Sequence, residues 1–286
     1  MSNKNYRIEP IDPSAKGIGD CRRLLRLVFP SAVHFTENYL DWEYNQNPAG
    51  KAVGFNAYHD HELAGHYVTL PLRARLFGSD VSGLLSLNTA THPNHQGNGL
   101  FTKLAEHTYA RARDLRFEFV IGVANANSTH GFVNKLGFQL VGRLSAKVGL
   151  KKVDIQKPPH ETEFERLWDK ELIRWRIANP SAHYGYSPAS KGRVNILASA
   201  PHGLKVLLGQ FDKEHIPDKA LAQTRNWPQI WLGVNDRINW RRALHFEIPD
   251  RLRPSPLHLI FKDLTGKGRL LDLKNVFFSA IDFDAF

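Results

Sequence analysis

THPNHQGNGLF (residues 91–101) joins two stretches of different period. Before it, SGLLSLNTAT (82–91) is a near-continuous apolar run of strand type. After it, LFTKLAEHTYARARDL (100–115) carries Leu100, Leu104, Ala105, Thr108, Ala112 and Leu115 at helical spacing. The junction holds Gly97 and Gly99 on either side of Asn98. Glycines at a strand-to-helix junction make a tight turn without a Cβ clash, and they can do a second thing. They leave the first N–H groups of the helix, which have no partner inside it, open to an anion that the helix dipole also attracts. The two nucleotide loops G-x-x-x-x-G-K-[ST] and G-x-G-x-x-G are excluded by spacing. The local reading is a phosphate cradle of backbone amides just before Leu100.

Working outward, FEFVIGVAN (117–125) has the composition of a strand buried on both faces. A short helix over 128–136 and a strand over 138–150 follow. Upstream, Ile18, Cys21, Leu24, Leu25 and Val28 predict a helix over 18–29. A second helix is expected over 36–44, then two strands around a turn near Asp60. KKVDIQKPPHET (151–162), charged and broken by Pro158-Pro159, reads as a linker. The expected organisation is an α/β (α+β) domain over 1–150 with a mixed twisted sheet flanked by helices, a linker over 151–162, and a smaller α+β domain over 163–286. The second domain begins with a helix over 161–178 followed by strand-like runs. YLDWEYNQNPAG (39–50) and LIRWRIANPSAH (172–183) each place a Trp shortly before Asn-Pro at a helix end. That recurrence suits a duplicated unit whose second copy lost its ligand loop, and chance gives the same pattern.

The 286 residues carry a formal net charge of +10, with a sequence pI of about 9.7. The basic residues fall in short sets, such as Arg22, Arg23 and Arg26, with no long run and no nucleic-acid motif. An anionic small molecule accounts for the excess as well as nucleic acid does, and in the absence of such a motif no nucleic-acid partner is expected. No stretch has the apolar length of a membrane helix, and the N-terminus lacks the apolar core of a signal peptide. One cysteine, Cys21, excludes an internal disulfide and fits a reducing cytoplasm. It is read as a structural thiol.

THPNHQGNGLFTKLAEH resembles the cofactor motif of the GNAT superfamily, the acyl-CoA-dependent N-acyltransferases. Thr91, Pro93, Gln96, Gly97, Gly99 and Leu100 occupy the successive positions of that pattern. A second signature, an Asn after the next strand and a short helix ending in Gly-Phe, is matched by Asn127 through Gly137-Phe138. The resemblance covers about residues 80–150. It implies a GNAT-type sheet, with the second domain a candidate degenerate copy, and acetyl-CoA as acyl donor. It assigns the pyrophosphate to backbone N–H groups from Gln96 through Gly97, Asn98, Gly99 and Leu100 to Phe101. The pantetheine amides would meet the strand edge at Thr89 to Thr91, and Asn127 would bond further along the cofactor. An N–H near Thr91 or His92 would polarise the thioester carbonyl. Two positions depart from the pattern. Phe101 stands where Gly or Ala is usual, and Val133 where many members carry a Tyr that protonates the leaving thiolate.

An amine acceptor arrives protonated and needs a base, for which His92 is a candidate, with His95 and His130 also near the predicted thioester. His92 and His95 lack further metal-ligand types beside them in the chain, so no metal site is expected. The apolar tail NVFFSAIDFDAF (275–286) is expected to pack as a strand, which makes Asp284, with Asp282, a second candidate. Trp42 and Tyr44 could stack on a sugar while Asn47 bonds its hydroxyls. The resemblance extends to members that acetylate nucleotide-linked amino sugars for surface polysaccharide. The alternatives are an aminoglycoside or peptide amine as acceptor, and a non-catalytic acyl-CoA-binding protein.

Overall fold

Side-chain caps start the first two helices. After β1 (Arg7–Pro10), the Ser14 hydroxyl accepts the Gly17 N–H at the head of α1 (Ala15–Val28). The Thr36 hydroxyl accepts the Tyr39 N–H at the head of α2 (Glu37–Asn45). Cys21 lies in the middle of α1, not at its start, and burial pushes its thiol up to about 12. The computed structural model describes residues 5–149, 151, 153, 155–156, 161–200, 203–216, 221–224, 228–235, 237–253 and 255–283.

A hairpin of β2 (Val53–His59) and β3 (Glu62–Leu76) turns at Asp60, whose φ of 54° is the left-handed conformation expected there. Next come β4 (Ser79–Thr91), α3 (Leu100–Asp114), β5 (Phe119–Ala124) and α4 (Ala126–His130), the last followed by a π-helical turn over Gly131–Lys135. The strand expected over 138–150 is broken at Leu144 into β6 (Gln139–Arg143) and β7 (Ser145–Gly149). The single helix expected over 161–178 is instead β8 (Phe164–Arg166) and α5 (Lys170–Ile177), the latter capped by Asp169. Pairing with β3, Leu76 opposite Phe164 and Ala74 opposite Arg166, draws residues 164–166 out of the helix. The rest comprises β9 (Tyr184–Pro188), β10 (Arg193–Ser199), β11 (Lys205–Asp212), β12 (Ala222–Gln223), β13 (Gln229–Val234), α6 (Trp240–Ala243), β14 (His245–Glu247), β15 (His258–Asp263) and β16 (Val276–Ser279).

The halves repeat one strand order. In the first, β2, β3 and β4 run antiparallel and β4 pairs with β5 in parallel; in the second, β9, β10 and β11 run antiparallel and β11 pairs with β13 in parallel. Each half then takes a strand from the other. β15 lies between β5 and β6, while β7 lies between β13 and β14. Strands from before and after 151–162 therefore meet in both sheets. β8 and β16 join the two sheets into one surface of sixteen strands among the described residues. The paired Trp motifs also meet. Trp42 and Trp175 stack with centroids 4.7 Å apart, and each indole N–H donates to the other's backbone carbonyl, at 2.9 and 3.1 Å. After each, an Asn side chain accepts the N–H two residues on, Asn47 from Ala49 and Asn179 from Ser181. The two motifs thus make matching contacts at the ends of α2 and α5.

Between β3 and β4 the register slips, with Val68 opposite Leu87 but His66 opposite Ala90, so Asn88 and Thr89 form a bulge. Asn88 has φ of 46° there. A buried polar chain holds it. The Asn88 amide donates to Glu43 Oε2 at 2.5 Å and to the Tyr44 hydroxyl at 3.2 Å, and Tyr44 bonds His66 Nε2 at 3.0 Å. His66 Nδ1 lies 2.7 Å from Asn56 Oδ1. With Asn56 accepting, Nδ1 carries the proton and Nε2 accepts from Tyr44, a neutral ring with both nitrogens satisfied.

Two outcomes are expected. Burial depresses the His66 pKa from 6.5 to about 3, so between those values the unfolded chain binds a proton that folded His66 refuses. Stability contributed by the neutral ring is complete above pH 6.5 and is lost as pH falls towards 3, about 5 kcal/mol over the full window. Urea midpoints measured from pH 7 to pH 4 should fall less steeply for His66→Gln than for the parent; equal slopes would refute the assignment. Second, residues 1–162 expressed alone lack β15 and leave the β5 edge and the pocket of Leu259, Ile260 and Phe261 empty. That fragment should show no cooperative unfolding transition, and co-expression with residues 163–286 should restore one. A cooperative transition for the fragment alone would contradict the strand exchange.

Candidate functional site

The glycine junction folds as an open cradle. Gly97 and Gly99 have φ of 78° and 71°, in the left-handed region, and open space lies where a Cβ would stand at either. A 3₁₀ turn at Pro93–His95 leads into it, and the Asn98 amide ties the loop by donating to the carbonyls of His95 and Gln96. The first helical bond of α3 runs from Lys103 N–H to the Gly99 carbonyl, which leaves the amides just before it facing a cavity of about 260 Å³. Thr91, Gln96, Gly97, Gly99, Leu100 and Phe101 line this cavity. The expectation needs one correction, because the Gln96 N–H is taken by the Pro93 carbonyl. Lys135 also lines the cradle, a cation that sequence spacing gave no reason to select.

Phe101 does not wall the cradle off. Its ring turns onto Gly131, where a Cβ would come within 3.0 Å of it, and meets Phe132 edge-on at 5.2 Å. The bulky side chain at a position usually small is absorbed by a glycine opposite.

From the cradle a strand edge leads inward. β4 and β5 pair in parallel only at Leu84–Val120, Leu85–Ile121 and Ser86–Gly122, after which β5 continues against β15 as far as Ala124. Residues 87–91 of β4, including Thr89 and Thr91, thus have no strand on that side among the described pairs. Such an edge can bond an extended chain of amides. Asn127 is exposed on α4, beyond the far end of β5. The His92 N–H donates to the Ala64 carbonyl at 2.9 Å, so it is not free to polarise a thioester; Asn88 and Thr89 sit at the bulge, outside the register with β3.

The second half repeats the parting but closes it. β11 and β13 pair only from Lys205–Gln229 to Leu207–Trp231. Beyond that point β16 pairs with Gly233 and Val234, and the Ile281 N–H donates to the Leu208 carbonyl. The chain's own residues 276–281 occupy the gap, and no glycine cradle follows β11.

The catalytic and acceptor candidates fare unevenly. His92 accepts the Asn94 N–H on Nδ1 and faces Glu62 from Nε2 at 3.3 Å, so neither nitrogen is free in this arrangement. His95 is buried, with Nδ1 3.0 Å from the Tyr6 hydroxyl and Nε2 3.5 Å from Glu62. Glu62, distant in sequence, thus supplies a third possible metal ligand that local spacing missed, all three donors lying within 4.8 Å. The Asn94 bond to His92 Nδ1 nevertheless puts the proton on Nε2, which describes a hydrogen-bonded triad. Asp284 lies outside the described residues. Trp42, Tyr44 and Asn47 do not form an open wall. Trp42 is packed between α2 and α5, Tyr44 is sealed in the His66 chain, and Asn47 donates to the Pro71 carbonyl at 2.8 Å.

Glu43 was missed. It is 1% exposed, accepts from the Tyr39 hydroxyl at 3.1 Å and from Asn88 at the bulge, and lines a small cavity with Leu85, Arg166 and Asp282. A signal existed, since an acid four residues after Tyr39 and three after Leu40 sits on the apolar face of its helix.

Residues 12–141 match the family model described as an acetyltransferase (GNAT) domain. No curated protein matches the chain. Among solved structures, a GCN5-related N-acetyltransferase from Kribbella flavida aligns with a TM-score of 0.59 at 10% identity, over 90% of this chain and 71% of that one. A probable N-acyltransferase from Enterococcus faecalis V583 gives 0.58 at 10% identity, over 91% and 73%. N-myristoyltransferase of Saccharomyces cerevisiae with bound myristoyl-CoA gives 0.53 at 10% identity, over 92% and 81%. At these identities the likeness is one of fold, and it spans both halves. Over residues 12–141 the chain thus matches a GNAT acetyltransferase domain, in keeping with an acyl-CoA-dependent N-acetyltransferase that takes acetyl-CoA as its donor.

Proposed function

We propose that the protein transfers acetyl directly from acetyl-CoA to a primary amine, with the amino group of a nucleotide-linked amino sugar as acceptor. The observation that carries the transfer is the open cradle at Gly97–Gly99 leading onto the unpaired edge of β4. The pyrophosphate rests on the amides from Gly97 to Phe101, with Lys135 opposite, and the pantetheine arm extends along residues 87–91. The thioester then lies by the bulge at Asn88. Support for the finer acceptor reading is the net charge of +10, suited to a substrate that carries its own phosphates.

In this reading Glu43, rather than His92 or Asp284, takes the proton of the incoming ammonium. Its carboxylate is held by Asn88 at the bulge and reaches a cavity on its own side of β4. The amine nitrogen bonds the acetyl carbon, the C–S bond breaks, and the coenzyme A thiolate leaves. Val133 offers it no proton, so solvent supplies one. Val133 also favours a second reading, a chain that binds acyl-CoA without turnover.

Two measurements test this. Calorimetric titration with coenzyme A should give one site per chain, because residues 276–281 fill the second gap; a stoichiometry of two would refute that. Gly99→Val, forced against its left-handed φ, should weaken coenzyme A binding about tenfold or more. Release of free thiol with a panel of amino-sugar nucleotides, aminoglycosides and peptide amines then separates the acceptors. Glu43→Gln should lower kcat by about 10²- to 10⁴-fold with the KM for acetyl-CoA unchanged. A comparable loss in His92→Ala with Glu43→Gln unaffected would return the role to His92, and binding without turnover on every acceptor favours the second reading.

A further inference from the structure

A cavity of about 1030 Å³ lies against β11 and β16 in the second half and shares Arg166, Ile281 and Asp282 with the small cavity of Glu43. Arg75, Arg166, Lys191, Arg193 and Arg237 bring five cations to its walls, against the three carboxylates of Glu165, Asp212 and Asp282. Two are buried in an unusual way. Arg237 is 8% exposed, lies 4.4 Å over the Phe277 ring and grips Glu165 through both terminal nitrogens, at 2.7 and 3.0 Å, yet its Nε is buried with no partner among the described residues. Arg166 is 7% exposed, lies 4.1 Å over Trp168 and donates to the backbone carbonyl of Asp282, and its Nε is likewise unpartnered. The Asp282 carboxylate attracts Arg166 through space, while its own hydrogen bonds come from the Ser279 N–H and hydroxyl and the Trp168 indole. Buried guanidinium N–H groups left without acceptors cost free energy until an anion supplies them.

We propose that this groove binds the diphosphate of the acceptor, with Arg166 and Arg237 as recognition residues and Lys191 and Arg193 at its rim. The acceptor's amine passes the shared wall at Arg166 and Asp282 to reach Glu43. In the first half backbone amides hold a phosphate where β4 parts from β5. In the second half the equivalent gap is plugged by β16, and arginine side chains beside the plug take over anion binding. The amine end of this proposal rests on the acetyl-transfer reading, while the anion site stands on its own geometry.

The test is calorimetric titration of uridine diphosphate, inorganic pyrophosphate and uridine into the full chain saturated with coenzyme A, so that the cradle is already filled. The two diphosphate probes should bind at one site, more weakly as salt rises, and uridine should not bind. The rim pair Lys191→Glu/Arg193→Glu should weaken diphosphate binding at least about tenfold while leaving coenzyme A affinity unchanged. Arg166→Met should do the same, with coenzyme A affinity reporting that the chain still folds. Absence of diphosphate binding to the coenzyme A complex overturns the proposal, as does an affinity unchanged in the rim pair. Intact diphosphate binding with no turnover overturns only the transfer reading.

Discussion

β4 leaves β5 after Ser86 and Gly122, and most of what the first half can do follows from that parting. A parallel pair that stayed in register would satisfy its own backbone and offer nothing to a ligand. Once it opens, a strand edge with unmet amides faces inward at one end and the glycine turn faces it at the other. The second half contains the same parting between β11 and β13, where the chain's own β16 satisfies the edge. One constraint thus has an open solution and a self-filled one within a single molecule. The difference rests on residues 276–281 reaching the second gap and on the glycine turn existing only in the first.

The halves cannot be understood apart. Each sheet contains a strand supplied by the other, and the Trp42–Trp175 pair clasps α2 to α5 with two reciprocal hydrogen bonds. Pairings between residues more than a hundred positions apart make for a slow, cooperative assembly. The proposed site would be composite as well. The cradle belongs to α3, the buried acid to α2, and the arginine groove to the second half.

Local adjustments show how the fold tolerates departures from a motif. Phe101 fits because Gly131 gives way, and the bulge at Asn88 holds its left-handed backbone because Glu43 and Tyr44 accept its amide protons or meet them. Each is a pair in which one residue's strain or bulk is answered by a partner far along the chain. A buried network of this kind fixes geometry only when each member is satisfied, and the His66 chain, running from Asn88 to Asn56, is.

The amino-acid sequence by itself determined what depends on neighbours in the chain. Apolar period marked α3 and β5, left-handed glycines marked the cradle, and a recurrent Trp and Asn-Pro hinted at duplication, because dihedral preference and amphipathic spacing act over a few residues. Tertiary structure decided the rest. Which strand lies beside β5, whether Trp42 faces a ligand or Trp175, where Glu62 meets two histidines, and that 164–166 forms a strand all turn on contacts between distant segments. Local propensity is too weak to fix such contacts, whereas burial and strand pairing, summed over both halves, are strong enough to override it.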